Sequence, residues 1–234
     1  ISGGAPLSEN IYQLFADHDL PLVNSYGLTE IGPNNFSNTP ERQRMKKLSV
    51  GKPIMFNNVR LVDDEGNDVP QGEVGNLIIS NNAKFSGYWN NTEETVKVLK
   101  YGFVFTGDLA RMDEEGDYFI VGRSKDMIIT GGENVYPSEV EKVLNKFPGV
   151  VDSVVFGIPV EQWGESVVAA VITKGLDESI IEELTEYAKL NLAGYKTPKR
   201  YYLLDEFPKT PIGKIDKKAL LAMAQEFEEG RHDL

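Results

Sequence analysis

The sequence predicts a mixed α/β and α+β protein in two parts, a β-rich part with a barrel-like subdomain over residues 1–124 and a small α+β part over 125–234. Three observations predict it. Residues 50–123 carry short apolar segments broken by turn residues, the pattern of a small barrel or sandwich that closes its own sheet edges. Past Arg123 the texture changes to alternating strands and helices. The composition, 41% hydrophobic and 26% charged over 234 residues, is that of a folded chain of one to two domains.

In order along the chain, Ser8 is placed to cap a helix whose Ile11, Leu14 and Phe15 fall at helical spacing. Residues 20–25 read as a short strand, with a glycine turn at Gly27. Residues 32–49 are polar and turn-rich and read as an exposed loop, so the basic cluster Arg42, Arg44, Lys46 and Lys47 is expected to be solvated. Strands follow at 59–62 and 76–80, with one helix at 92–99. The second part reads as strand 127–130, helix 138–147 capped by Ser138, strands 151–157 and 167–173, helix 178–192 and strand 200–204. Asp216 caps a last helix running towards Glu229.

Composition excludes several function classes. With 24 basic against 36 acidic residues the net charge is -12, which opposes binding to a nucleic-acid backbone. The chain has no cysteine, which removes disulfides, thiolate catalysis and Cys-ligated zinc and points to a cytoplasmic location. No apolar run reaches the roughly 18 to 20 residues of a membrane span, and no secretory signal opens the chain. The sequons at Asn35 and Asn90 carry no weight in a cytoplasmic chain. Two histidines make histidine-centred catalysis an unpromising reading, and the Walker loop, G-x-G-x-x-G and G-x-S-x-G patterns are absent.

Four loops remain, each with a functional and a plain structural reading. Tyr26-Gly27-Leu28-Thr29-Glu30 presents a ring to stack on a base, a hydroxyl for a phosphate and a carboxylate for magnesium, or it is a strand-to-helix turn. Thr106-Gly107-Asp108 places a carboxylate at a strand end, suited to paired hydroxyls, or it is an ordinary turn. Residues 122–134 combine the donor fork of Arg123 with the Gly131-Gly132 pair, or form a hairpin with a solvated charge pair. Residues 208–216 carry Lys214 on a proline-restricted tip, where it reaches a phosphate or is one more surface lysine.

Together and in this order, these motifs resemble the adenylate-forming superfamily of acyl-CoA synthetases, luciferases and peptide-synthetase adenylation domains. Residues 2–7 look like its adenine-side loop, 26–30 like Y-G-x-T-E, 106–109 like T-G-D, 122–139 like the hinge and following loop, and 208–215 like P-x-T-x-x-G-K-I. The Gly-Gly-Glu-Asn-Val-Tyr-Pro-Ser-Glu-Val-Glu wording is similar to the acyl-CoA and aryl-CoA ligase branch.

The resemblance implies the end of a large adenylate-forming domain followed by a small mobile domain, and a two-step reaction using ATP, magnesium and coenzyme A. A fatty or aryl carboxylate is adenylated with release of pyrophosphate, and the CoA thiol then displaces AMP. It assigns Gly3, Gly4, Ala5, Pro6, Tyr26, Gly27, Thr29, Asp108 and Arg123 to the nucleotide, with Tyr26 stacking on adenine and Asp108 and Arg123 on the ribose. Thr29, Glu30 and Lys214 become catalytic, with Glu30 holding the metal; Lys125 becomes the hinge about which the small domain rotates. Gly131, Gly132, Glu133 and, more weakly, Trp163 line the CoA path, although a lone tryptophan is commonly core. The family's Gly/Ser/Thr-rich phosphate loop is missing, so the chain is expected to be a C-terminal fragment, inactive alone. A stand-alone adenylate- or CoA-binding module and a luciferase-like oxidase share these motifs, and the acid and oligomeric state, a homo-oligomer among the options, stay open.

Overall fold

The computed structural model describes residues 1–4, 7–175, 180–211 and 213–232, with side chains described as far as residue 227. Two compact units emerge, Ile1–Lys125 and Asp126–Leu234.

In the first unit, helix α1 (Glu9–Asp17) is capped by Ser8, whose side chain accepts from the Ile11 amide. Strands β1 (Tyr26–Leu28) and β2 (Gly32–Ser37) form a hairpin. Helix α2 (Pro40–Met45) follows, capped by Thr39, and β3 (Lys52–Pro53) then pairs with β2. Next come β4 (Asn58–Val62), β5 (Val74–Ser80), helix α3 (Thr92–Val98), β6 (Leu99–Lys100), β7 (Phe103–Met112) and β8 (Tyr118–Arg123). They form an antiparallel sheet in the order β4-β5-β7-β6, with β8 on the second half of β7. Two hydrogen bonds, Val50 N–H to Tyr118 O and Tyr118 N–H to Gly51 O, each 2.9 Å, join the small sheet to β8. The two sheets thereby curl into a half-barrel around Ile31, Phe36, Leu77, Ile79 and Val104. The barrel-like expectation is met in this open form; β4 ends the path, so the sheet does not close on itself.

The second unit is layered. Strands β9 (Ile128–Thr130) and β10 (Glu133–Val135) form a hairpin, and helix α4 (Pro137–Leu144) follows. The long strands β11 (Val150–Val160) and β12 (Gly164–Thr173) pair antiparallel over ten register positions. Helix α5 (Ile180–Asn191) returns the chain to β13 (Arg200–Leu203), parallel to β12, and α6 (Lys217–His232) ends it. Alternation along β11 and β12 sends Val155, Val167, Ala169 and Val171 to one face with α4 and α5. Val154, Phe156, Val168 and Ala170 go to the other, under Leu220 and Ala224 of α6. Burial on both faces explains why β12 reads as an almost unbroken apolar run.

Several local expectations are corrected. Residues 20–25 form no strand; Asn24 makes only an isolated parallel bridge to Ser2. Residues 32–49 are not an exposed loop but β2 and α2, with Phe36, Asn35, Gln43 and Ser49 buried. The reason is a polar core: the Gln43 side chain accepts from the Asn24 amide and donates to the Ser49 carbonyl. Nor is the basic cluster all solvated. Arg42 pairs with buried Asp117, and Lys46 bridges Asp113 at 2.9 Å and Glu115 at 2.6 Å, fastening α2 to the β7–β8 turn. Ser138 is not a cap, because Pro137 already occupies the first turn of α4 with Tyr136 before it. Glu178, the expected start of α5, lies outside the described residues. On α1 the buried side chain is Tyr12, while Ile11 and Leu14 are half exposed.

Candidate functional site

In the first unit the site is organised by an irregularity in β7. Asn76 pairs with Leu109 and Ile78 with Phe105, so Thr106, Gly107 and Asp108 together stand opposite the single residue Leu77. Such a bulge re-aims side chains; Gly107 sits in it at φ 71°, and the Thr106 hydroxyl donates to the Leu77 carbonyl at 2.8 Å. Asp108 is therefore neither at a strand end nor in an ordinary turn. It lies mid-strand and only 5% exposed.

Three groups converge on it. The Arg123 Nε lies 2.8 Å from Asp108 Oδ1, across the β7–β8 pair in which these two residues are register partners. The Tyr26 hydroxyl donates to Asp108 Oδ2 at 2.5 Å, and the Asp108 amide donates to Thr106 Oγ1. Arg123 also donates from a terminal nitrogen to the Thr106 carbonyl at 3.1 Å. Burial, then the Asp108 carboxylate beside it, pushes the Tyr26 phenol above its ordinary range, so it remains a donor. Arg123, 46% exposed, is half open to solvent rather than part of a solvated hairpin pair.

Tyr26 starts β1, and Thr29 and Glu30 form the turn into β2, so this motif is a β-hairpin turn and not a strand-to-helix turn. Gly27 is required by the hairpin itself: a Cβ there would lie 2.8 Å from the Asn34 nitrogen and the Gly32 oxygen. Thr29 is exposed. Glu30 is gripped from elsewhere, its carboxylate accepting from the Tyr88 hydroxyl at 2.6 Å and its carbonyl from the Phe85 amide at 2.8 Å. Burial and the Glu30 carboxylate push the Tyr88 phenol up to about 12. Among the described residues no cluster of three or more His, Cys, Asp or Glu could cage a metal ion. Magnesium fits this donor set nonetheless, because it is commonly held by one or two carboxylates plus phosphate oxygens and water. Gly3 and Gly4 follow Ser2, which exchanges hydrogen bonds with Val23 and Ser25 at the foot of β1. Ala5 and Pro6 lie outside the described residues.

Lys125, exposed, is the last residue of the first unit and sits in a single 3-10 turn, Ser124–Asp126. In the second unit Gly131 and Gly132, at φ 59° and 85°, are the two-residue turn of the β9–β10 hairpin, a conformation that favours glycine at both positions. The Gly131 amide donates to the Trp163 carbonyl at 2.9 Å, and a Cβ on Gly131 would meet the indole at 3.2 Å. Trp163 is 56% exposed and Glu133 is exposed, so the indole is not core and the four expected residues do share one surface. Lys214 is exposed in a tight loop closed by the Lys209–Ile215 bridge and a Thr210 amide to Lys214 carbonyl bond of 2.7 Å. Ile212 of that loop lies outside the described residues. Asp216 then caps α6, accepting from the Lys218 and Ala219 amides.

Residues 1–89 match the family of AMP-binding enzymes, and residues 139–214 match the AMP-binding enzyme C-terminal domain. The chain belongs to the AMP-binding enzymes. A feruloyl-CoA synthase of an Amycolatopsis species is 39% identical over 93% of this chain and 44% of its own. A long-chain-fatty-acid–CoA ligase of Mycobacterium tuberculosis is 37% identical over 94% and 43%. Among solved structures, the o-succinylbenzoate CoA synthetase of Bacillus subtilis in complex with its acyl-adenylate superposes with a TM-score of 0.82 at 32% identity, over 91% of this chain and 43% of that one. The chain thus spans less than half the length of these relatives. Motif reading of this AMP-binding-enzyme chain missed Tyr88, which reaches the candidate residue Glu30; its sequence signal is an aromatic pair after a glycine in Ser86-Gly87-Tyr88-Trp89.

Proposed function

We propose that the chain is the C-terminal part of an ATP-dependent acid–CoA ligase, which activates a carboxylate as its acyl-adenylate with release of pyrophosphate and passes the acyl group to the CoA thiol. The observation that carries this reading is the Asp108 centre, a buried carboxylate at a bulge, held by Tyr26 and by the half-exposed Arg123. A carboxylate and a guanidinium side by side suit the adjacent hydroxyls of a ribose, and the Tyr26 ring beside them is placed for adenine. Supporting it, the relatives are named a feruloyl-CoA synthase and a long-chain-fatty-acid–CoA ligase, and one neighbour holds an acyl-adenylate. The shared coverage and the exposure of Ile11 and Leu14 support a longer parent chain.

In this reading Glu30 would hold magnesium together with phosphate oxygens, and the ion would supply neutralisation of phosphate charge. Thr29 donates its hydroxyl to the phosphate. Lys214, a flexible cationic side chain, stabilises the negative charge that accumulates as carboxylate oxygen meets the α-phosphate. Lys125, at the end of the first unit, is the hinge about which the second unit, Asp126–Leu234, moves. The Gly131–Gly132 turn, with Glu133 and Trp163, forms a narrow shelf for the thiol arm of CoA, since two residues without side chains let a thin ligand approach the backbone. The acid is a fatty or aryl carboxylate. The setting is the cytoplasm, a reading supported by the lack of cysteine; among the described residues no helix is long and apolar enough to cross a membrane.

The test is pyrophosphate release. The intact protein releases it from ATP with a fatty or aryl acid and then makes a CoA thioester, while the 234-residue chain alone does neither. Turnover by the chain alone, or none by the intact protein across a panel of both acid classes, overturns the reading.

A further inference from the structure

The turn that carries Glu30 is clamped by a segment with no part in the motif reading. Asn81 donates from its side-chain nitrogen to the Ile31 carbonyl at 3.0 Å, the Phe85 amide to the Glu30 carbonyl at 2.8 Å, and the Tyr88 hydroxyl to Glu30 Oε1 at 2.6 Å. Tyr88 is itself fixed: its amide donates to Thr95 Oγ1 of α3 at 2.9 Å, and its ring packs edge-on against Phe85 with centroids 4.9 Å apart. A path of direct contacts thus runs from α3 through Tyr88 to the carboxylate. Glu30 sits in the short β1–β2 turn with Thr29 exposed beside it.

We infer that Tyr88 is a positioning residue for the metal-holding carboxylate: its hydroxyl takes one oxygen of Glu30 and fixes the rotamer, and the other oxygen would be the one to hold the cation. The inference rests on the assignment of Glu30 under the proposed function. Tyrosine suits the task because a phenol is a neutral donor. A lysine or arginine in its place would orient the carboxylate equally well but would neutralise it and repel the cation, whereas a phenol satisfies one oxygen and leaves the net negative charge available. Partners that orient a ligand in this way commonly matter 10- to 100-fold in metal affinity.

The test uses the intact protein with manganese as the probe, its binding in the presence of ATP and no acid followed by electron paramagnetic resonance of the free ion. Tyr88→Phe, which keeps the ring against Phe85, is expected to weaken manganese binding roughly tenfold while the thermal midpoint stays put. The same change in a Glu30→Gln background is expected to add nothing. Unchanged affinity in Tyr88→Phe, or an equal loss in both backgrounds, overturns the role of Tyr88 and leaves Glu30 as the ligand. If Glu30→Gln itself leaves manganese binding intact, the assignment of Glu30 falls, and this inference falls with it.

Discussion

Asp108 and Arg123 are register partners on β7 and β8, with a carboxylate oxygen 2.8 Å from the guanidinium Nε, and the same carboxylate takes the hydroxyl of Tyr26. One buried acid therefore joins the first hairpin to the end of the half-barrel. A structural role and the proposed nucleotide-binding role are separable by substitution. Asp108→Asn in the intact protein keeps the shape but loses the charge, and nucleotide affinity is expected to fall on the order of tenfold or more, as for a lost charge-assisted hydrogen bond. Titration calorimetry with ATP measures it; unchanged affinity with a lowered thermal midpoint assigns the residue to folding alone.

Lys214 projects from a loop braced by its own backbone bonds, so removing its side chain leaves the fold alone. Lys214→Ala in the intact protein is expected to slow adenylate formation by about 10²-fold or more. Thioester formation from supplied acyl-adenylate should continue. Equal slowing of both half-reactions, measured in single-turnover assays, removes Lys214 from the adenylation step.

Gly131 presents the reverse case. A valine there must adopt φ 59°, which β-branched side chains avoid, and push its Cβ against the Trp163 indole. Gly131→Val is expected to cut thioester formation at least tenfold with pyrophosphate release little changed. Loss of both steps would mean that the hairpin supports the unit and not the thiol path.

Glu141 on α4 is half-buried against β11, where its carboxylate accepts from the Val155 amide at 2.9 Å. Burial raises its pKa, only partly offset by that bond and by Lys217, with Asp152 and Asp126 adding to the rise. A carboxyl whose folded pKa lies above its unfolded value contributes full stability below the ordinary carboxylate range and loses it as pH rises through the folded value. Glu141→Gln keeps the acceptor and removes the charge. Thermal melts should show it more stable than the parent sequence at pH 7, by a few degrees, with the difference closing as pH falls below about 4. A variant less stable at both pH values would show that the carboxylate is held favourably by its surroundings.

What the sequence by itself determined is the chemistry on offer and the local structure that few residues dictate. Ser8 and Asp216 cap their helices because capping needs one side-chain oxygen and the next turn of backbone, and the β12 run reads as a doubly covered strand. The glycine pair at 131–132 likewise specifies its own turn. Tertiary structure alone decided where these chemistries meet. Tyr26 lies 82 positions from Asp108, and Glu30 lies 58 from Tyr88, so no window of sequence holds either pair. The bulge that turns Asp108 inward exists only as a mismatch in register between β5 and β7, a property of two strands together. Residues 32–49 misled for the same reason: their polar side chains look solvated in sequence, yet Gln43 is buried by partners on other segments and Arg42 is neutralised by Asp117, 75 residues away. Local pattern records what a residue can do; pairing across the fold sets which of those things it does.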